Sequence, residues 1–281
     1  MCAEALTDRS VVRRLLEALE VRPSQRLGQN FLVNPGIVNA IAEAVTARRP
    51  TRLVEIGPGL GAVTEGLAQL RIPLTAVEID PRLAEHLEER HAQDPHVEIR
   101  KEDFLTYDLT EEAAGEPVMV VGSIPYRISA PILRHLVEHR ASISEAILLT
   151  QREVAEKIAA SPGPQGTALG VYVRAYADVK TLRRVGGGSF YPPPKVDSVL
   201  WSMTFREGPA FSTDEEAFFS VCRAVYDARR KMLRRVLRSL LPPERIDEAL
   251  KSAGLEGTER GESLGFAELD RLSAAVKRLG G

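Results

Sequence analysis

Leu53-Val54-Glu55-Ile56-Gly57-Pro58-Gly59-Leu60-Gly61 decides the fold of this chain. A short strand-like run enters a turn with glycine at every second position, and a helix-period stretch, Ala62 to Leu70, follows at once. Glycine there permits positive φ and lets a ligand approach the backbone closely. A strand-to-helix turn without a ligand could use the same residues, so the reading depends on what comes next. The following strand-like run, Leu74 to Ile79, contains Glu78, 21 residues after Gly57. A carboxylate at that strand end can accept both hydroxyl hydrogens of a ribose. A dinucleotide turn would need a third glycine where this chain has Ala62, which excludes a pyrophosphate-type fingerprint and leaves a nucleoside-like ligand.

Outward from this turn the alternation continues. Val97 to Lys101, Val118 to Val121 and Glu145 to Leu149 read as further strands, with Arg52 to Ile56 the first of the series. Helical patterns at Pro81 to Arg90 and Ala130 to His139 separate them, and Pro81 and Pro131 suit a first helical turn. Such βαβ order predicts an α/β, doubly wound, mostly parallel sheet. Val179 to Val185 and Ser198 to Phe205 flank Tyr191-Pro192-Pro193-Pro194 and are expected as an antiparallel pair at the sheet edge. After Glu207-Gly208-Pro209 only helical patterns remain. The expected division is 1–208, including an N-terminal arm 1–35, followed by a small all-helical domain, 209–281. Phe218, Cys222, Val225, Leu233, Val236 and Leu240 predict one amphipathic first helix in the latter.

At 281 residues the chain can hold one large and one small core. Apolar residues make up 44% and charged residues 27%, an ordinary globular balance, and no apolar run approaches the roughly 20 residues that span a bilayer. Glu4 and Asp8 interrupt any signal-like N-terminus, so a cytoplasmic location is expected, and two cysteines, Cys2 and Cys222, exclude a cysteine-rich zinc site. Net charge is −2, yet from Arg223 to Arg238 seven basic residues face Asp227 alone. That stripe makes Arg223, Arg229, Arg230, Lys231 and Arg234 candidate contacts to a phosphate backbone, the alternative being a solvated helix face.

Two strand ends complete the candidate site. Asp103, in Glu102-Asp103-Phe104, either caps a helix or accepts a hydrogen bond from a ligand amine; coming after Glu78 at the neighbouring strand end, it is read as a ligand contact. The fourth main strand runs into Ser123-Ile124-Pro125-Tyr126 at the carboxyl edge, where doubly wound sheets bind ligands. Adenine N6 is a poor nucleophile because its lone pair is delocalised into the ring. Acceptors for its two hydrogens, here the Ser123 oxygen and the Pro125 carbonyl, favour a tetrahedral nitrogen, and Tyr126 offers a π-face to an extruded base. A nitrogen so activated can attack a sulfonium methyl in line, and such a methyl transfer would need no metal and no covalent intermediate on the protein.

With these residues in hand, the chain resembles the KsgA family of ribosomal RNA adenine dimethyltransferases over almost its whole length. Its G-x-G-x-G turn is similar to the nucleoside-binding loop of class I (Rossmann-like) methyltransferases. Arg26-Leu27-Gly28-Gln29-Asn30-Phe31-Leu32 resembles the family's N-terminal motif, and Gln151-Arg152-Glu153-Val154-Ala155 the motif after strand five. Phe190 to Val199, "FYPPPKVDSV", is similar to the acceptor-side loop. Ala228-Arg229-Arg230-Lys231-Met232-Leu233 and Arg260-Gly261-Glu262-Ser263-Leu264 resemble two motifs of the family's helical RNA-binding domain. The resemblance implies S-adenosylmethionine as cofactor, with S-adenosylhomocysteine as product, held by Asn30, Leu32, Gly57, Glu78, Asp103 and Ser123. It implies a catalytic set of Ser123, Pro125, Tyr126 and Phe190, the last stacking on the target adenine, and no metal. The partner implied is small-subunit (16S) ribosomal RNA within the 30S subunit or its precursor, two adjacent adenines being dimethylated by a monomeric enzyme. One departure stands out: the family's usual Asn-Leu-Pro-Tyr is Ser-Ile-Pro-Tyr here.

Three other readings compete. His135-Leu136-Val137-Glu138-His139 matches H-x-x-E-H, a zinc-protease pattern, although the histidines are expected on a solvated helix. Serine at position 123 fits a ribosome assembly factor that no longer methylates. An adenine methyltransferase of large-subunit (23S) RNA, as in the Erm resistance enzymes, would keep the chemistry and change the target.

Overall fold

The computed structural model describes residues 6–23 and 29–280; Cys2, Glu4 and residues 26–28 lie outside them. The strands are β1 (Phe31–Leu32), β2 (Leu53–Ile56), β3 (Leu74–Val77), β4 (Val97–Arg100), β5 (Val118–Ser123), β6 (Ile143–Gln151), β7 (Ala177–Val185), β8 (Phe190–Tyr191) and β9 (Ser198–Phe205). Seven of them form one sheet in the order β4-β3-β2-β5-β6-β9-β7. From β4 to β6 every neighbouring pair is parallel, and β9 turns back antiparallel to β6. The sheet order reverses between β2 and β5, and both strands end at the edge where the sequence motifs sit.

The central strands are apolar because helices cover them. Every residue of β2 and β3 is buried, as expected of parallel strands packed on both faces. On one face the helix Pro35–Thr46 sets Ile37, Val38, Ile41 and Val45 against Leu53, Met119, Val121 and Leu149. Each such side chain contributes on the order of 1.5–3 kcal/mol. Asn34 starts that helix by accepting from the Gly36 amide, and Pro35 occupies its first turn. The helix Arg9–Ala18 adds Val12 and Leu16 to a second cluster with Phe31, Leu60 and Leu83.

Contacts divide the chain into two compact units. One comprises residues up to Ala155 together with Lys180–Phe205; the other comprises Glu156–Val179 and everything from Arg206 onward. The second cut lies close to Gly208, but the segment 156–179 groups with the C-terminal helices, so a single cut does not describe the contacts. Aromatic packing accounts for this grouping: Tyr172 and Tyr176 of the helix Ala168–Tyr176 meet Phe219 and Phe211. Phe211 stacks on Phe218 at 4.1 Å between centroids.

The expected first helix of the C-terminal unit is broken. Helix Glu215–Asp227 stops, and a short turn Leu233–Val236 begins after Met232, whose backbone bridges to Arg260. Leu233 N–H donates to the Glu259 carbonyl at 2.8 Å. Pairing with a distant segment has overridden the helical period. Leu240 is only partly buried, and Leu237 and Leu241 fill the core beside it. Among the described residues no helix is long and apolar enough to cross a membrane.

Candidate cofactor and acceptor site

The glycine turn takes the backbone conformation its composition implies. Gly57, Gly59 and Gly61 all have positive φ, at +59°, +62° and +92°. A Cβ on Gly59 would lie 3.1 Å from the Phe31 ring, whereas above Gly57 nothing lies within 4 Å. The turn therefore leaves open space on one side and packs against the β1 segment on the other.

That space belongs to a cavity of about 340 Å³. Its lining brings together Asn30, Leu32, Gly57, Glu78, Asp103, Ser123, Pro125 and Phe190, residues from six separate stretches of the chain. Tyr126 opens a short 3-10 turn, Tyr126–Ile128, immediately after them. Phe190 is 2% exposed and belongs to the apolar cluster beneath, so its ring reaches this site only through the cavity. It is held there by an antiparallel ladder in which Leu32 faces Phe190 and Phe31 faces Tyr191. The two segments that the sequence reading assigns to cofactor and acceptor thus share one two-stranded sheet.

Glu78 is buried with both oxygens in use. Oε2 accepts from the Gly59 amide at 3.0 Å and Oε1 from the Asp80 amide at 2.9 Å. Burial raises its pKa, and those two donors pull against the shift. Asp103 is not a helix cap: it closes a turn by accepting from the Leu105 amide at 3.0 Å, and the next helix is capped by Asp108. Glu55, the charged residue of β2, joins these groups. It is 2% exposed, lines the cavity, and its carboxyl is pushed up to about 8, first by burial and further by the neighbouring charge of Glu78, with Thr64 opposing. Its Oε2 has no hydrogen-bond partner among the described residues. A charged side chain inside an all-apolar strand was the available signal.

Two expectations need correction. The Pro125 carbonyl already accepts from Ile128 N–H at 3.2 Å and Ser129 Oγ–H at 3.3 Å, because the following 3-10 turn folds back on it. Both its lone pairs are taken. The histidines are not both solvated: His135 is buried, its Nε2–H donates to the Tyr107 carbonyl at 3.0 Å, and Phe104 packs edge-on against it, while His139 is half-buried. Burial lowers its pKa. His139 Nδ1–H donates to the His135 carbonyl, and no metal-holding cluster of His, Cys, Asp or Glu occurs among the described residues.

The candidate phosphate contacts separate into two kinds. Arg229 donates to Glu262 at 3.3 Å and to the Pro164 carbonyl at 2.5 Å, and Arg234 is paired with Asp247. Arg223, Arg230 and Lys231 are exposed.

Chemistry of the lining limits the ligand. The cavity carries the carboxyls of Glu55, Glu78, Glu102 and Asp103, and among its described lining residues there is no Lys, Arg or His. A phosphate would find no counter-charge; a nucleoside bearing positive charge would. S-adenosylmethionine, a nucleoside with a positively charged sulfur, fits that description, and the open face over Gly57 leaves room for it.

Comparison with known proteins agrees with this chemistry. Proteins called "Ribosomal RNA small subunit methyltransferase A" from Geobacter metallireducens and Thermobifida fusca are 38% and 37% identical to the chain, each aligned over 93% of it and over 98% and 93% of their own lengths. The structure of the 23S rRNA methyltransferase ErmE covers 88% of this chain and 100% of its own at 29% identity, with a TM-score of 0.69. A Plasmodium falciparum dimethyladenosine transferase, at 23% identity and TM-score 0.72, covers 86% of this chain and 95% of its own and shares the fold. The sheet is therefore that of a class I methyltransferase. The family profile for "Ribosomal RNA adenine dimethylase" matches residues 20–269, which span the glycine turn, the Ser-Ile-Pro-Tyr segment and the basic run Arg223–Arg238, and the chain belongs to that family.

Proposed function

We propose that this protein dimethylates N6 of two adjacent adenines in a hairpin near the 3′ end of small-subunit ribosomal RNA, within the 30S subunit or its precursor, as a cytoplasmic monomer serving subunit biogenesis. The observation that carries the reading is the meeting of Ser123-Ile124-Pro125 with Gly57, Glu78 and Asp103 in one cavity. When bound, S-adenosylmethionine supplies an electrophilic methyl on sulfonium sulfur and leaves as S-adenosylhomocysteine. Glu78, already fixed by two amides, orients a ribose; Asp103 and Asn30 position the two ends of the nucleoside. Ser123, the last residue of β5, presents its hydroxyl as one acceptor for the N6 hydrogens. Since the Pro125 carbonyl is occupied, the second acceptor is assigned to the preceding carbonyl, that of Ile124, which also lines the cavity. Phe190 closes the acceptor side as an apolar surface. Alignment and charge stabilisation supply the rate, with no covalent step on the protein.

Small-subunit RNA is favoured over a large-subunit target by the 37–38% identity to relatives named for the small subunit, against 29% for ErmE. Phosphate binding is assigned to Arg223, Arg230 and Lys231 in the C-terminal unit, with Arg229 and Arg234 shaping the surface. The test is methyl incorporation into unmodified small subunits by the wild type and Ser123→Asn, followed by nucleoside analysis. Mono- and dimethyladenine are expected from both, in different ratio. A silent wild type beside an active variant would establish instead an assembly factor that has lost methylation.

A further inference from the structure

Glu55 has no part in the assignment above, yet it is the most unusual group in the cavity. It sits in the middle of a parallel sheet, Glu55 pairing with Ala76 on β3 and Val121 on β5, where every neighbour in its strand is apolar. Its exposure is 2%, its Oε2 has no hydrogen-bond partner among the described residues, and the atom belongs to a residue lining the cavity. The groups facing it are Thr64, from the helix that follows the glycine turn, and Glu78, from the end of β3. No cationic side chain lines the cavity among the described residues.

Two buried carboxyls lining one cavity do not both ionise readily, and their surroundings decide which keeps the proton. Glu78 accepts two backbone amides, which favour its anion. Glu55 has no backbone donor of this kind. A group so placed remains a neutral acid until positive charge enters the cavity. S-adenosylmethionine and S-adenosylhomocysteine share an α-ammonium and an α-carboxylate, so they differ by the one positive charge on sulfur.

We infer that Glu55 is the proton-linked group by which this protein distinguishes its cationic cofactor from the net-neutral, zwitterionic product: cofactor binding expels the Glu55 proton to solvent, and loss of the sulfonium charge lets it return. The inference rests on the cofactor reading given above. Its physical consequence is a preference for cofactor over product that grows as protons become scarcer. Burial and the charge of Glu78 place the Glu55 equilibrium near 8, so at pH 7 the free protein holds this proton.

The experiment is calorimetric binding of S-adenosylmethionine and of S-adenosylhomocysteine to the full chain, without RNA. Titrations at pH 7 in buffers of different ionisation enthalpy count the protons released. Affinities at pH 6 and pH 7 lie below the range where the ligand's own α-amine titrates. Wild type should release about one proton with the cofactor, which should bind roughly tenfold tighter at pH 7 than at pH 6. The product should release markedly fewer and show a shallower change. Glu55→Gln, which mimics the neutral acid, should abolish the release and make the two ligands respond alike to pH. Equal proton release for both ligands in the wild type overturns the inference without recourse to any variant. So does an unchanged count in Glu55→Gln. Failure of both ligands to bind the wild type would overturn the cofactor reading itself, a distinguishable outcome.

Discussion

The glycine turn and the basic run Arg223–Arg238 were equally conspicuous in the sequence, and they differ in how far composition determines their roles. In the turn, what matters is backbone conformation. Three glycines at positive φ set the course of the main chain locally. In the basic run, what matters is where each side chain finds a partner, and partners come from far away: Glu262 and Pro164 for Arg229, Asp247 for Arg234. Adjacent arginines with the same local context therefore separate into braces and exposed cations. A motif defined by the main chain can be assigned from a few residues, whereas a motif defined by charge needs the fold.

The comparison breaks most visibly at Gly59. Valine there must hold a φ of +62° that β-branched residues avoid, and its Cβ would lie 3.1 Å from the Phe31 ring. We expect Gly59→Val to weaken S-adenosylhomocysteine binding by more than about a thousandfold, over ~4 kcal/mol. Calorimetry showing unchanged affinity would mean that the turn is only a strand-to-helix connection. The next effect concerns stability. The Glu55 carboxyl titrates near 8 in the folded protein and near 4.5 ordinarily. Between these values the folded state holds a proton that the unfolded chain has lost, so stability falls as pH rises through the window and levels off above it. Glu78 acts in the same direction. Glu55→Gln should remove its own share, on the order of 3 kcal/mol between pH 5 and 8, so that the variant gains on the wild type as pH rises. Parallel denaturation profiles for the two proteins would contradict this.

The doubly wound sheet was legible because short, mostly apolar β-rich runs alternate with helical periods that glycine, proline and capping residues bound. All five parallel strands fall where those runs predict them. Asn30, Leu32, Gly57, Glu78, Asp103, Ser123, Pro125 and Phe190 meet in one cavity because each lies at a strand end on the same edge of the sheet or on the β1–β8 ladder beside it. What stayed hidden required partners distant in sequence. The helix expected to run through Leu240 is interrupted because residues 232–233 pair with 259–260. The helix Ala168–Tyr176 joins the C-terminal unit through ring contacts that no local period announces. His135 is buried against Phe104 and finds its acceptor in a carbonyl 28 residues away. Glu55 was in plain view, but its protonation depends on burial and on Glu78, neither of which a strand pattern reports.

The smallest effects give the finest test, within the basic run itself. Arg229 holds two partners, and its chain neighbour Arg230 is exposed. Removing Arg229 leaves the Glu262 carboxylate, whose side chain is 13% exposed, without its cation, and the Pro164 carbonyl without its donor. Arg229→Ala should therefore cost about 1–2 kcal/mol of stability, with any loss of RNA affinity following from a displaced surface. Arg230→Ala should change stability by less than about 0.5 kcal/mol. If Arg230 contacts phosphate, the salt dependence of RNA binding should become shallower by about one counterion, uniformly across RNA sequences. The slope separates the two roles better than affinity does, because a misplaced surface weakens binding without removing a specific charge. Should Arg229→Ala flatten the slope while Arg230→Ala leaves it intact, the division between brace and phosphate contact would be reversed, and the pairing of Arg229 with Glu262 would have to open when RNA binds.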